Sequence, residues 1–257
     1  MLRSIYNSWS GINACERSLA QVSHNLANVS TTAYKRSELA FSDMLYRTLQ
    51  ERRLPSYSAE RLAVGQGTGL RAQASFSGQG TLRETERPFD LAISGEGYFR
   101  FFTADGETVY SRDGHLILDA AGRLVNSAGD YLDFPFMPGE RGSTLSISPE
   151  GAAVITGSSG EPVERGQIRL YRFSNPAGLA NEGGGRYLES AFSGPPLEGL
   201  PGDAGFGRIQ QYYLEQSNTD TALEMVQLLL DQRALQSNVR SLLTADELQA
   251  LALQIRL

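Results

Sequence analysis

The sequence predicts an α+β fold: long N- and C-terminal helices that pair with one another and enclose a largely antiparallel β domain. Three observations carry that expectation. Leu2, Ile5, Trp9, Ile12, Cys15, Leu19, Val22, Leu26 and Val29 recur at intervals of three and four, which places them on one helix face. Met225, Leu228, Leu235, Val239 and Leu242 step in threes, fours and sevens near the other end, and Leu248, Leu251 and Ile255 continue a similar stripe. From Phe89 the pattern changes to short apolar runs separated by Gly95, Asp105-Gly106, Asp113-Gly114, Ala121-Gly122 and Ala128-Gly129, which are turn signals at hairpin spacing.

Taken in order, the first helix is expected from Leu2 to Val29. Ser30, Thr31 and Thr32 are turn and N-cap residues, so a helix restart is expected towards Met44 and Leu49, ended by Pro55. Asn25 and Asn28 lie three apart near the first helix end, where they fit either C-terminal capping or a polar contact to a neighbouring chain. From Ser56 to Arg87 the composition shifts towards Gly, Ser, Thr, Gln and Arg. Its Gly-Gln-Gly-Thr-Gly run lacks the buried strand, following helix and spacing of a nucleotide loop, so extended chain beside other backbone is the reading. Strands are expected at Leu91 to Ile93, Tyr98 to Phe102, Val109 to Ser111, Leu116 to Leu118, Leu124 to Asn126, Leu145 to Ile147, Ala153 to Ile155 and Ile168 to Phe173. Asn175-Pro176 and the Gly183 to Gly185 run close this region, and a return through Pro195, Pro196 and Pro201 leads to Tyr212 and the last helix.

Composition narrows the function classes. A chain of 257 residues with 40% hydrophobic and 20% charged residues is large enough for one or two domains with a real core. A net charge of −6 argues against a nucleic-acid surface, because phosphate binding needs clustered cations. Arg47, Arg52, Arg53 and Arg61 come nearest to such a cluster and read as a solvated helix face. Lys35 is the sole lysine; it lies between Tyr34 and Arg36, which excludes a phosphate-binding P-loop. With Cys15 alone, no internal disulfide forms. Ile12-Asn13-Ala14-Cys15 has the outline of a bacterial lipobox, but Asn7, Ser8, Ser10 and Asn13 interrupt the apolar segment that a cleaved signal requires. No apolar run approaches the ~20 residues of a membrane span.

Catalytic constellations do not assemble. The two histidines, His24 and His115, and the one cysteine lie far apart without HExxH or CxxC spacing, so no metal site or cofactor is expected. No GxSxG elbow is present. Asp113, Asp119, Asp130 and Asp133 are available for carboxylate chemistry, but turn-making is the default role of Asp113 and Asp119. What remains is an assembly protein. Two long apolar stripes leave much of each other wet, and neighbouring copies would cover them; a head-to-tail contact that does not close makes a helical tube.

The motifs carry a specific resemblance. Asn25-Leu-Ala-Asn28-Val-Ser-Thr-Thr-Ala-Tyr34-Lys35 resembles the N-terminal signature of the bacterial flagellar basal-body rod and hook family. Leu214-Glu-Gln-Ser-Asn218-Thr-Asp220, with Glu224-Met-Val and Gln232-Arg233-Ala234, resembles its C-terminal signature. Phe89-Asp-Leu-Ala-Ile93 with Gly95, Gly97, Tyr98 and Phe99, then Tyr110-Ser-Arg-Asp-Gly114 and Gly122-Arg-Leu-Val125, resembles its central domain. The Met1-Leu-Arg-Ser opening and Val64-Gly-Gln-Gly-Thr-Gly69 are most similar to distal rod members, with a proximal rod paralogue as the alternative. Ala33 stands where the family usually has Gly.

The resemblance implies a non-enzymatic subunit of a hollow helical drive shaft that transmits torque to the hook and carries the export channel. It implies self-assembly, contacts with proximal rod, hook and surrounding ring proteins, and export by the flagellar apparatus to the periplasm-spanning rod without a cleaved signal. It further implies that the terminal helices form a coiled-coil-like inner layer, 1–36 with 212–257, and that a connector of 37–87 with 186–211 leads to an outer β-rich domain, 88–185. Assembly and interhelix contacts are expected from Ile5, Trp9, Ile12, Leu19, Val22, Asn25, Leu26, Asn28, Tyr34, Leu214, Asn218, Met225, Leu228, Arg233, Leu235, Val239 and Leu242, and connector contacts from Gly65, Gly67 and Gly69. Classes left as alternatives are a peptidoglycan-processing enzyme and a monomeric β-rich binding module.

Overall fold

The structure, a computed structural model, describes residues 2–44, 47–48, 63–65, 67–119, 122–134, 144–156 and 162–255. Leu49, Pro55, Ala121, Arg52, Arg53 and Arg61 lie outside the described residues. The chain divides into two compact units, one of Met1–Ala27, Ser37–Ala74 and Asp220–Leu257, the other of Asn28–Arg36 and Ser75–Thr219.

The first unit holds two α-helices, α1 (Leu2–Ala27) and α2 (Thr221–Ile255), and a pair of strands, Ser37–Asp43 with Thr68–Ser75. Asp220 starts α2 by accepting hydrogen bonds from the Ala222 and Leu223 amides at 2.9 and 3.3 Å, which satisfies donors that have no partner inside the helix. The helix restart expected after Thr32 is overturned: Ser37–Asp43 is a strand. Its partner lies well along the chain, so pairing decided the conformation, and no local pattern announced it.

Among the described residues the second unit is all β apart from one short 3-10 turn, Pro176–Gly178. Its largest sheet has seven strands in the order Ala180–Gly183, Arg186–Leu188, Thr108–Ser111, Phe99–Phe102, Tyr131–Leu132, Leu124–Val125 and Ile117–Leu118. A three-stranded sheet of Thr144–Ile147, Ala152–Thr156 and Pro162–Gln167 follows, and every pairing is antiparallel. Strands from before and after these sheets pair with each other: Leu91–Ser94 with Arg208–Gln211, and Leu82–Glu84 with Tyr213–Glu215. Alternating side chains put Phe99, Phe101, Val109, Ile155, Leu170 and Ile209 into one core, and Tyr98, Tyr110, Tyr171, Phe173 and Tyr187 into an aromatic cluster with edge-to-face contacts.

The expected fold is corrected here. The described β strands of the second unit form several antiparallel sheets around a shared core, and the described helices are two, one at each end of the chain. The helices do pair, along a seam that mixes polar groups with part of each apolar stripe. Gly11, Cys15, Ser18 and Asn25 of α1 face Glu224, Asp231 and Asn238 of α2, and the buried Val22 lies on the same face of α1. That line on α1 is displaced by one residue from Ile12, Leu19 and Leu26, which are only half-buried. Small and polar side chains let the backbones approach and hydrogen-bond, and the half-buried Leu228, Leu235 and Leu242, four residues after each polar member of α2, lie on the same face. Leu223, Met225, Val226, Leu229, Leu230, Val239, Leu243, Leu248 and Leu251 are all exposed.

Candidate assembly surfaces and the signature-motif junction

The interhelix seam is a polar ladder with antiparallel direction. Asn238 Nδ2 lies 3.7 Å from Cys15 Sγ, Ser18 Oγ donates to Asp231 Oδ2 at 2.6 Å, and Asn25 Nδ2 donates to Glu224 Oε1 at 3.3 Å. The α2 members repeat every seven residues, so they stay on one line down the helix. Burial raises the Cys15 thiol above its ordinary value. Asn25 is buried and brackets the start of the Ser37 strand, donating to Ser37 O at 3.0 Å and accepting from Ser37 N at 3.1 Å. Asn25→Ala strips partners from that backbone and from the buried Glu224 carboxylate, at a cost of about 2 kcal/mol. Amide exchange in α1 is then expected to speed up about thirtyfold; unchanged exchange would remove Asn25 from this role.

In the second unit the two terminal signatures meet through the sole lysine. Lys35 Nζ reaches Glu215 Oε1 at 2.5 Å and donates to Gly78 O at 2.8 Å. Arg112 Nε holds the other Glu215 oxygen at 2.9 Å, its Nη2 donates to Gly95 O at 2.8 Å, and the Gly80 amide donates to Glu215 at 2.9 Å. The side chains of Lys35 and Glu215 are only 2% and 0% exposed. Burial alone would raise the Glu215 carboxyl, but Arg112 and Lys35 overrule it and hold it below the ordinary carboxylate value. Lys35 is moved down by burial and then by repulsion from Arg112, against the pull of Glu215. Beside this cluster Asn218 clasps both strands of the junction, accepting from the Arg36 amide at 2.8 Å and donating to Phe76 O and Gly78 O at 2.9 Å.

Ala33 sits at this junction with φ +54°, buried, its amide donating to Glu215 O at 2.8 Å. That is the left-handed region where Gly is free of strain, and it explains why Gly suits the position. Leu214 is buried on the strand beside it, and Tyr34 is half-buried, its carbonyl accepting from the Asn218 amide at 3.3 Å. Asn28 accepts from Thr31 Oγ1 at 3.1 Å in the turn after α1.

The remaining anticipated contacts lie in the first unit. Val22 is buried; Ile5, Ile12, Leu19, Leu26, Leu228, Leu235 and Leu242 are half-buried; Trp9, Met225, Arg233 and Val239 are exposed. Gly67, with φ +94°, runs so close to α1 that a Cβ would stand 2.1 Å from Ser10 Oγ, and the Thr68 amide reaches the same oxygen at 3.4 Å. Gly69 packs on Met44, and Asn7 Nδ2 approaches Gly65 O at 3.5 Å. Between α1 and this strand pair lies a groove of about 240 Å³ lined by Tyr6, Trp9, Phe41, Met44 and Leu70, with Arg17 at its edge.

Sequence reasoning missed the Lys35–Glu215–Arg112 cluster, although the use of lysine once, inside a signature motif, was its trace. Among the described residues no group of three metal-ligating side chains occurs, and no helix is long and apolar enough to cross a membrane.

Comparison with known proteins follows the same motifs. The family model of the flagellar hook protein FlgE/F/G D1 domain matches residues 92–156, and that of the flagellar basal body rod FlgEFG protein C-terminal matches residues 210–255. The flagellar basal-body rod protein FlgG of Borreliella burgdorferi is 35% identical, over 98% of this chain and 98% of its own. That of Bacillus subtilis is 34% identical over 96% and 97%, and the flagellar hook-basal body complex protein FlhP of the same organism is 26% identical over 100% of both chains.

Proposed function

From its membership of the flagellar basal-body rod protein family, to which this chain belongs, we infer that the protein is a structural subunit of the distal rod of the bacterial flagellar basal body. Copies polymerise into a hollow helical shaft that transmits torque to the hook and carries the export channel. The subunit does no bond chemistry and needs no cofactor.

The observation that supports this reading most directly is the apolar surface of α2. Leu223, Met225, Val226, Leu229 and Leu230 stand exposed along its first turns, and Leu243, Leu248 and Leu251 along its last. A monomer in water does not keep so long an apolar face without a partner. Copies of the same chain are the partner that a polymer supplies, and the contact is heterologous, so it extends without closing. The exposed Trp9, Met225, Arg233 and Val239 make the intersubunit contacts in this reading, and the half-buried positions stiffen the subunit beneath them. Proximal rod, hook and ring proteins adjoin the shaft, which spans the periplasm after export without a cleaved signal.

Deletion of the chain tests the proposal. Purified basal bodies are expected to end in a shortened rod without a hook, and cells are expected not to swim. Full-length basal bodies and normal swimming in the deletion strain would overturn it.

A further inference from the structure

One short stretch near the end of the second unit, residues 208–218, draws together segments that lie far from it in sequence. Leu91–Ser94 and Leu82–Glu84 each have one partner among the described strands, Arg208–Gln211 in the first case and Tyr213–Glu215 in the second. Gln211 reaches beyond its own ladder: its Nε2 donates to Pro88 O at 2.7 Å and to Leu145 O at 2.9 Å, and its Oε1 accepts from the Ile147 amide at 2.9 Å. Ile209 is buried in the core that holds Leu91, Ile93, Phe99, Phe101 and Val109. Among the described residues Glu215 is the only carboxylate paired with the buried Lys35 and Arg112. Asn218 then ties the Arg36 amide to the Phe76 and Gly78 carbonyls.

If the core closed without this stretch, it would bury two cations with no anion between them. It would also leave the fully buried Leu91, Ala92 and Ile93 without their strand partner, and the Pro88, Leu145 and Ile147 backbone groups without the Gln211 amide. Unpaired charge and unpaired backbone are both strongly disfavoured in a dry interior. We propose that residues 208–218 are a closing strap: the second unit does not complete its core until they dock, so its folding waits for the carboxyl-terminal part of the chain. A ribosome delivers residues 28–207 first, and the β region stays open until the strap has been made. The delay itself is independent of the rod reading; its use, keeping the chain threadable through an export channel, rests on that reading. The opposite order is sheet-first folding, in which the local pair of Phe99–Phe102 and Thr108–Ser111 forms early because its loop is short.

Pulsed hydrogen exchange during refolding of the full-length chain separates the two orders. The amides of Phe99–Phe102 and Thr108–Ser111 are expected to gain protection at the same rate, within threefold, as those of Tyr212 and Gln216, which donate to Asp90 O and Thr81 O across the strap. Sheet strands protected more than threefold faster than the strap would overturn the proposal, and this measurement needs no variant to fold. Gln211→Ala gives a second readout. It is expected to slow refolding at least tenfold and to change the unfolding rate less than twofold, because the strap is already docked at the folding barrier. An effect that falls mainly on the unfolding rate would place docking after the barrier and overturn the proposal as well. Both measurements use the isolated subunit, so a failed strap leaves the rod reading standing, and a deletion strain that swims leaves the strap standing.

Discussion

Glu215→Gln is expected to destabilise the second unit by about 3 to 5 kcal/mol, because it leaves the Lys35 and Arg112 cations buried beside each other without their shared anion. At a shift of roughly 2 to 4 °C per kcal/mol for a chain of this size, the β-unfolding midpoint falls by about 6 to 20 °C. The effect carries a pH signature. The folded Glu215 carboxyl lies below its ordinary value of 4.5, so its contribution is complete above that value and disappears as pH falls through the lower folded one. The gap between wild type and variant therefore narrows in acid. Lys35 acts in the alkaline range: between its lowered folded value and 10.5 the unfolded chain holds the extra proton, so this group favours the native state more as pH rises through that window. Denaturation followed by circular dichroism across pH checks both arms, and a midpoint within 2 °C of wild type at neutral pH would falsify the role given to Glu215.

Leu229→Asp is expected to do the reverse: little to the monomer, everything to the polymer. Leu229 is exposed, so the midpoint of the isolated subunit stays within about 2 °C. In the assembled rod the leucine is covered, a burial worth about 1.5 to 3 kcal/mol that aspartate forfeits while adding a charge to desolvate. At about 1.4 kcal/mol per tenfold, the lost burial alone raises the critical concentration about tenfold to a hundredfold, the charge raises it further, and swimming stops. Assembly at the wild-type concentration would remove the α2 face from the interface. Leu19→Asp and Leu235→Asp make a useful contrast: both residues are half-buried within the subunit, so each loses monomer stability as well as assembly.

These two sites also separate what is legible in a sequence from what is not. Both helices announce themselves by periodicity, and the hairpins by Asp-Gly and Ala-Gly turns, because those signals are local. Ser37–Asp43 does not, since its strand character comes from a partner at Thr68–Ser75. The apolar stripes are visible in the chain, but not which face of α2 turns inward; that depends on Ser18 meeting Asp231 and Asn25 meeting Glu224, some two hundred residues away. The Lys35–Glu215–Arg112 cluster is assembled from three distant segments in the same way. The motif residues were readable as a signature, and their physical task only in three dimensions.

The double closure where Leu82–Glu84 meets Tyr213–Glu215 and Leu91–Ser94 meets Arg208–Gln211 brings the two ends of the second unit's β region together. Arg208 lies opposite Ser94 in register, so the chain leaves and re-enters the closure about one strand spacing apart, near 4.8 Å. Leu91, Ile93 and Ile209 of the closure share one core with Phe99 and Phe101, so a change within the region is felt at its base.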